Sequence, residues 1–156
     1  MAGIGTASYT RVRSRARDSQ RKQDLKAIQT GLEQYFLINA DFPVDGGNAA
    51  SAGYIGIAGI DDGGTDVATQ SPGVDIYNKL VVTNRYVEKW PKPPQLGLVK
   101  AYFYKYFAKA TLSTTTEAGY KLKAALETDT NAMENDGGDC SDYYELYSSG
   151  AADQAC

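Results

Sequence analysis

The feature that most constrains this chain is its first quarter. In the stretch ARDSQRKQDLKAIQTGLEQYFLINADFP, from Ala16 to Pro43, apolar residues recur at Leu25, Ile28, Leu32, Tyr35 and Phe36. Steps of three and four put them on one face of an α-helix. Upstream of Leu25 helix formers continue, but the apolar face thins to Tyr9, Val12 and Ala16. A helix from about Gly3 to Ile38 is on the order of 50 Å long at 1.5 Å per residue. That exceeds the width of a domain of this size, so the first half is expected to protrude and the second half to pack. Asn39, Ala40, Asp41 and Pro43 supply the stop.

Charge follows the same division. Residues 1–26 carry seven basic side chains (Arg11, Arg13, Arg15, Arg17, Arg21, Lys22, Lys26) against Asp18 and Asp24. The rest is acidic, with nine basic and seventeen acidic groups, and the whole chain sums to −3. A basic stalk before an acidic body suggests a partner surface or self-association. With 156 residues the chain suits one domain with one core. No run of 18 apolar residues occurs, and Met1 to Thr10 does not have the layout of a signal peptide.

Three regions follow from the pattern. Residues 1–43 are the helix. Residues 44–98 are a long connection, with turns at DGGNAASAG and DDGGTD, Ile55, Ile57 and Ile60 directed inward, and a short helix over GVDIYNKLVV with Ile76, Tyr77, Leu80 and Val81 inward. Trp90 is expected on the core, in a segment that Pro91, Pro93 and Pro94 hold extended. Residues 99–156 alternate with period two. KAYFYKYFAKA (100–110) and GYKLKAALE (119–127) read as strands joined by a hairpin connection over 111–119, and DYYELYS (142–148) supplies a third. In the second strand Tyr120, Leu122, Ala124 and Leu126 are expected inside, and Lys121, Lys123 and Glu127 in water. Helix first and meander after predicts an α+β fold, with a long N-terminal helix packed on a small antiparallel sheet.

The chemistry on offer is narrow. The chain has no histidine, which removes histidine-based acid–base and nucleophilic systems and most zinc sites. No phosphate-binding glycine motif opens a helix, and the residues argue against an enzyme. No cofactor is called for, though NDGGDCSD and DDGGTD hold candidate calcium ligands, Asp136, Asp139, Asp142, Asp61, Asp62 and Asp66. Solvated acidic turns are the plainer reading of both. Five arginines between Arg11 and Arg21 can contact nucleic acid. Asp18 and Asp24 interrupt them and the acidic body repels a duplex, which favours a solvated or subunit-contacting helix surface. Cys140 and Cys156 both lie in the last seventeen residues. They either close a C-terminal loop, which would imply an oxidising compartment, or stay as two free thiols. A loop of this size is worth roughly 3 kcal/mol.

These residues resemble a known family. Ala16, Arg17, Asp18, Gln20, Arg21, Asp24, Leu25, Ile28, Gln29, Leu32, Glu33, Tyr35, Asn39, Phe42 and Pro43 match the helix that follows the membrane-embedded segment in type IV pilins and type II secretion pseudopilins. YVEKWPKPP resembles the crossover before the family's sheet, and YFYKY with GYKLKAALE its strand pair. The cysteine pair resembles the disulfide-bounded C-terminal region of type IV pilins. Residues 46–73 match nothing in the family. Ala7 stands where the family has a proline, and PKPP departs from the PxDP common among pseudopilins.

The resemblance implies the pilin fold and a structural subunit that polymerises into a type IV pilus-like surface filament. The alternatives it leaves are a type II secretion pseudopilin and a DNA-uptake pilin using the basic helix. It further implies that AGIGTASYTRV is the tail of an apolar membrane-inserted half-helix absent from this sequence, with a leader that is removed and an N terminus that is methylated. The implied partners are further copies of the chain, minor pilins, the assembly machinery and, before assembly, the inner membrane of a bacterial envelope. Tyr9, Val12, Arg11, Arg13, Arg15, Arg17 and Arg21 are then the expected subunit contacts.

Overall fold

In a computed structural model, residues 4–43, 53–54, 76, 78–91, 94, 104–108, 119–138 and 140–148 are described. The expectations for Ile55, Ile57, Ile60, Tyr77, Pro93 and the 111–118 connection lie outside those residues, as do those for Asp61, Asp62, Asp66, Asp139 and Cys156. The first element is helix α1, Ile4–Asn39, 36 residues long. Its end is set locally. Ala40 turns into the left-handed region at φ 54° while its N–H still reaches the Phe36 carbonyl at 2.8 Å. Asn39 caps the Tyr35 carbonyl through Nδ2 at 2.8 Å. A left-handed residue just past the last turn ends a helix by satisfying its orphaned carbonyls.

The sheet has four strands in the order β1-β2-β3-β4, every pair antiparallel. The strands are β1 (Gly53–Tyr54), β2 (Lys105–Ala108), β3 (Tyr120–Ala124) and β4 (Tyr144–Tyr147). β1 comes from the long connection, so the sheet is not confined to the last third of the chain. A π-helical segment, Asn78–Thr83, lies between β1 and β2, and a short helix α2, Thr130–Glu134, between β3 and β4. The observed architecture is therefore α+β, a long N-terminal helix with a small antiparallel sheet.

Helix and sheet share one core. Leu25, Ile28 and Leu32 are fully buried, and Tyr35 and Phe36 pack at its margin. Across from them lie Tyr104, Tyr106, Tyr120, Leu122 and Ala124, with Ile76, Leu80, Val87 and Trp90 closing the side. Each fully buried Leu or Ile contributes roughly 1.5–3 kcal/mol. Phe42, just past the helix, stacks on Phe36 at 4.7 Å and meets Tyr120 edge-on at 4.8 Å. Gly31 gives room where the chain after the π-helical segment packs on the helix. A Cβ there would sit 2.5 Å from a Val87 methyl.

One sequence expectation is overturned. Alternation puts Lys121 and Lys123 on a wet face, yet all five residues of β3 are buried. The loop after α2 folds over the outer face of the sheet, so β3 is covered on both sides. Alternation shows which residues share a face; it does not show whether a later segment covers that face. Glu127, assigned to the same wet face, turns to the helix instead.

Candidate functional site

Three groups of polar side chains decide what surface this chain presents. The first is the protruding end of α1. Tyr9 and Val12 are 60% and 64% exposed. Arg11, Arg13 and Arg15 are exposed too, and the Arg13 guanidinium lies 5.0 Å from the centre of the Tyr9 ring. Large apolar side chains beside arginines, on a helix with little of its own domain to pack against, form a surface suited to another chain.

The second group fastens the helix to the turn after β3. Arg17 grips Glu127 with two bonds, Nε to Oε1 at 2.8 Å and Nη2 to Oε2 at 2.5 Å. Arg21 adds Nη2 to Glu127 Oε1 at 2.7 Å and Nη1 to Asp18 Oδ1 at 2.8 Å, and donates to the Pro94 carbonyl at 3.2 Å. Asp18 accepts the N–H groups of Glu127 and Thr128 at 2.7 and 2.8 Å and the Thr128 hydroxyl at 2.8 Å. Lys22 pairs with Asp129, which also caps α2 by accepting from the Ala132 N–H. Forked guanidinium–carboxylate pairs are strong and directional. The Arg17 hydrogen bond, with Arg21 behind it, holds the Glu127 carboxyl down at about 2. The Lys22 hydrogen bond lowers Asp129.

This latch engages two of the residues expected as subunit contacts. Arg21 is fully buried and Arg17 largely so, both bound to their own chain. Of the basic run, Arg11, Arg13 and Arg15 remain at the surface. Asp18 does not merely interrupt the run: it is the anchor that receives the turn. No sequence pattern marks this, since Glu127 lies 110 residues from Arg17.

Three tyrosines reinforce the joint between helix and sheet. Tyr104 donates to Asp24 at 2.5 Å, Tyr120 to Glu33 at 2.6 Å, and Tyr106 to the Pro43 carbonyl at 2.5 Å. Burial, followed by the hydrogen bond to a carboxylate, pushes the Tyr104 and Tyr120 hydroxyls far up. Burial also raises Asp24, against the lowering effect of the Tyr104 bond. These phenols stay protonated and act as fixed donors.

The third group lies on the far face of the sheet. Lys121 and Lys123 from β3 and Glu145 from β4 are at most 1% exposed. Glu145 Oε1 lies 3.0 Å from Lys121 Nζ and 3.4 Å from Lys123 Nζ, while Oε2 accepts the Cys140 N–H at 3.2 Å. Register puts Lys123 directly opposite Glu145. The covering loop is tied by Asp136, which accepts from the N–H groups of Gly138 at 2.8 Å and Glu145 at 2.6 Å. A Cβ on Gly138 would run into the Glu145 carboxylate. Cys140 is disulfide-bonded and 2% exposed; the chain's other cysteine is Cys156.

Of the calcium candidates, Asp136 and Asp142 fall on described residues. Both Asp136 oxygens are engaged with backbone N–H groups, and Asp142 is exposed. Among the described residues no three acidic or thiol groups come together as a metal would require. No described helix is long and apolar enough to cross a membrane. Compared with protein-family models, curated proteins and solved structures, the chain matches none.

Proposed function

We propose that this chain is a structural subunit with the pilin fold, which polymerises through its helix into a type IV pilus-like surface filament. The observation that carries the reading is the division of α1. From Arg17 onward it is locked to the body by the latch, the core and the tyrosines, while the end before Arg17 presents Tyr9 and Val12 at 60% and 64% exposure beside three exposed arginines. Contacts made head to tail by such a helix do not close on themselves and so build a helical filament. The helix motif and the cysteine pair noted in the sequence support the same reading. The partners are then further copies of the chain and minor subunits at the cell surface, assembled from the inner membrane by dedicated machinery. The subunit's work is mechanical and needs no catalytic group.

The test substitutes the exposed stalk without touching the latch. Val12→Asp together with Arg11→Glu, Arg13→Glu and Arg15→Glu is expected to leave the melting temperature within a few degrees of wild type. Filaments counted by electron microscopy are expected to fall at least tenfold. Undiminished filaments built from this variant would overturn the role given to the stalk. A pseudopilin would depend on the same stalk but stay with the cell envelope.

A further inference from the structure

Contacts made head to tail use two different surfaces on each copy, and the stalk is only one of them. The other end of α1 carries a second exposed apolar pair. Leu37 is 83% exposed and Ile38 71%. Both lie in the last turn of the helix, beyond Tyr35 and Phe36, which still reach the core. Single exposed apolar side chains are ordinary, but two neighbours this bare form a patch. The two pairs follow one line of the helix. Val12 and Leu37 are separated by about seven turns, and Tyr9 and Ile38 by about eight, so each couple is nearly in phase. The face between them is uncharged: Ala16, Gln23, Ala27, Thr30 and Gln34 follow it, and all are exposed. Charge is opposite at the two ends. Arg11, Arg13 and Arg15 flank the stalk pair, whereas Glu33, one turn before Leu37, and Asp41, just past Ile38, are exposed acids. Glu33 accepts the Tyr120 hydroxyl and Asp41 the Phe42 N–H. Lys79, over the Tyr35 ring, is on the flank away from Leu37.

We propose that the patch at Leu37 and Ile38 receives the Tyr9 and Val12 end of a second copy of the chain, with Arg11, Arg13 and Arg15 set against Glu33 and Asp41. The proposal rests on the filament reading and names the receiving surface which that reading leaves open. A second copy is the occupant because one helix supplies both halves of the contact. It has an apolar pair among positive charges at one end and an apolar pair among negative charges at the other. Overlapping the ends displaces each copy from the next by about 40 Å along the helix, at 1.5 Å per residue. One patch of each kind then stays free for further copies, so the contact does not close.

The test is made on the full chain in its own cells, carrying Val12→Cys and Leu37→Cys together. Filaments are treated with a short bismaleimide and separated under denaturing, reducing conditions. A ladder of dimers, trimers and longer species is expected, and neither single variant should give one. Dimers alone would mean an antiparallel pair that closes on itself, and would overturn the staggered contact. Unlinked chains in assembled filaments would overturn it too. A second readout needs no thiols. Leu37→Arg sets a positive charge against the arginines, and is expected to cut filament number roughly tenfold or more with the melting temperature within a few degrees of wild type. Leu37→Glu is expected to lose far less. Equal filament numbers in the two variants would overturn the charge-matched contact. Wild-type cells that make no filaments of this chain would remove the filament reading, and this contact with it.

Discussion

Two small residues in and after α1 show how closely local chemistry follows position. Gly31 is helical, where alanine would ordinarily gain about 1 kcal/mol. A methyl there collides with Val87 at 2.5 Å, and the branched valine has little freedom to yield. Gly31→Ala is expected to lower stability by about 1–2 kcal/mol, read from denaturant midpoints at constant slope. Ala40 is the opposite case. It holds φ 54°, a conformation that costs a side chain about 1 kcal/mol and glycine almost nothing. Ala40→Gly is expected to raise stability by about 0.5–1 kcal/mol, seen as a higher midpoint; an unchanged or lower midpoint would mean that the helix end is held by other contacts.

Between elements, the latch couples the helix to the sheet through charge, so stability at this joint depends on pH. The Glu127 carboxyl sits at about 2 in the folded chain against an ordinary 4.5. Its contribution is complete above the ordinary value and is lost as pH falls through about 2. Asp129 is lowered as well and adds in the same direction. Asp24 is raised, so it acts the other way: its contribution is present at low pH and fades as pH rises. Wild type is expected to lose about 1–2 kcal/mol from the Glu127 pairs on acidification from pH 5 to pH 2, after allowance for solvent at the rim. Glu127→Gln should start lower at pH 7 and show a shallower acid decline. Equal slopes in the two chains would remove the latch from the pH dependence.

The same elements show how much could be read from sequence. The helix, its core positions Leu25, Ile28 and Leu32, and the strand at Tyr144–Tyr147 were legible because their periodicity is local. Two things were not. β3 shows clean alternation of apolar residues and lysines, but the lysines are buried because the loop tied by Asp136 and Gly138 lies over them. Lys121, Lys123, Glu145 and Cys140 are brought together by strand register and this return of the chain, and no spacing in the sequence encodes that. Arg17 and Arg21 looked like free members of a basic run because their partner Glu127 is remote in sequence. Tyr104 and Tyr120 looked like packing residues, and only the fold sets their hydroxyls against Asp24 and Glu33.

At the scale of the whole molecule, the fold divides one helix between two tasks. One part is fixed in the core, and under the filament reading the exposed N-terminal end is the part that meets other chains. A charged, partly apolar helix end held away from its own core costs solubility unless something covers it. Further copies of the same chain are the covering that the filament reading supplies. The measurement that bears on it most directly is made on the native protein in its own cells. Filaments are sheared from the surface, separated from membrane and soluble fractions, and each fraction is assayed for this chain by mass spectrometry. This reading predicts abundant protein in the sheared filaments. Protein found only in the soluble cytoplasmic fraction would contradict it, whereas protein confined to membranes would move the assignment to a periplasmic pseudopilin.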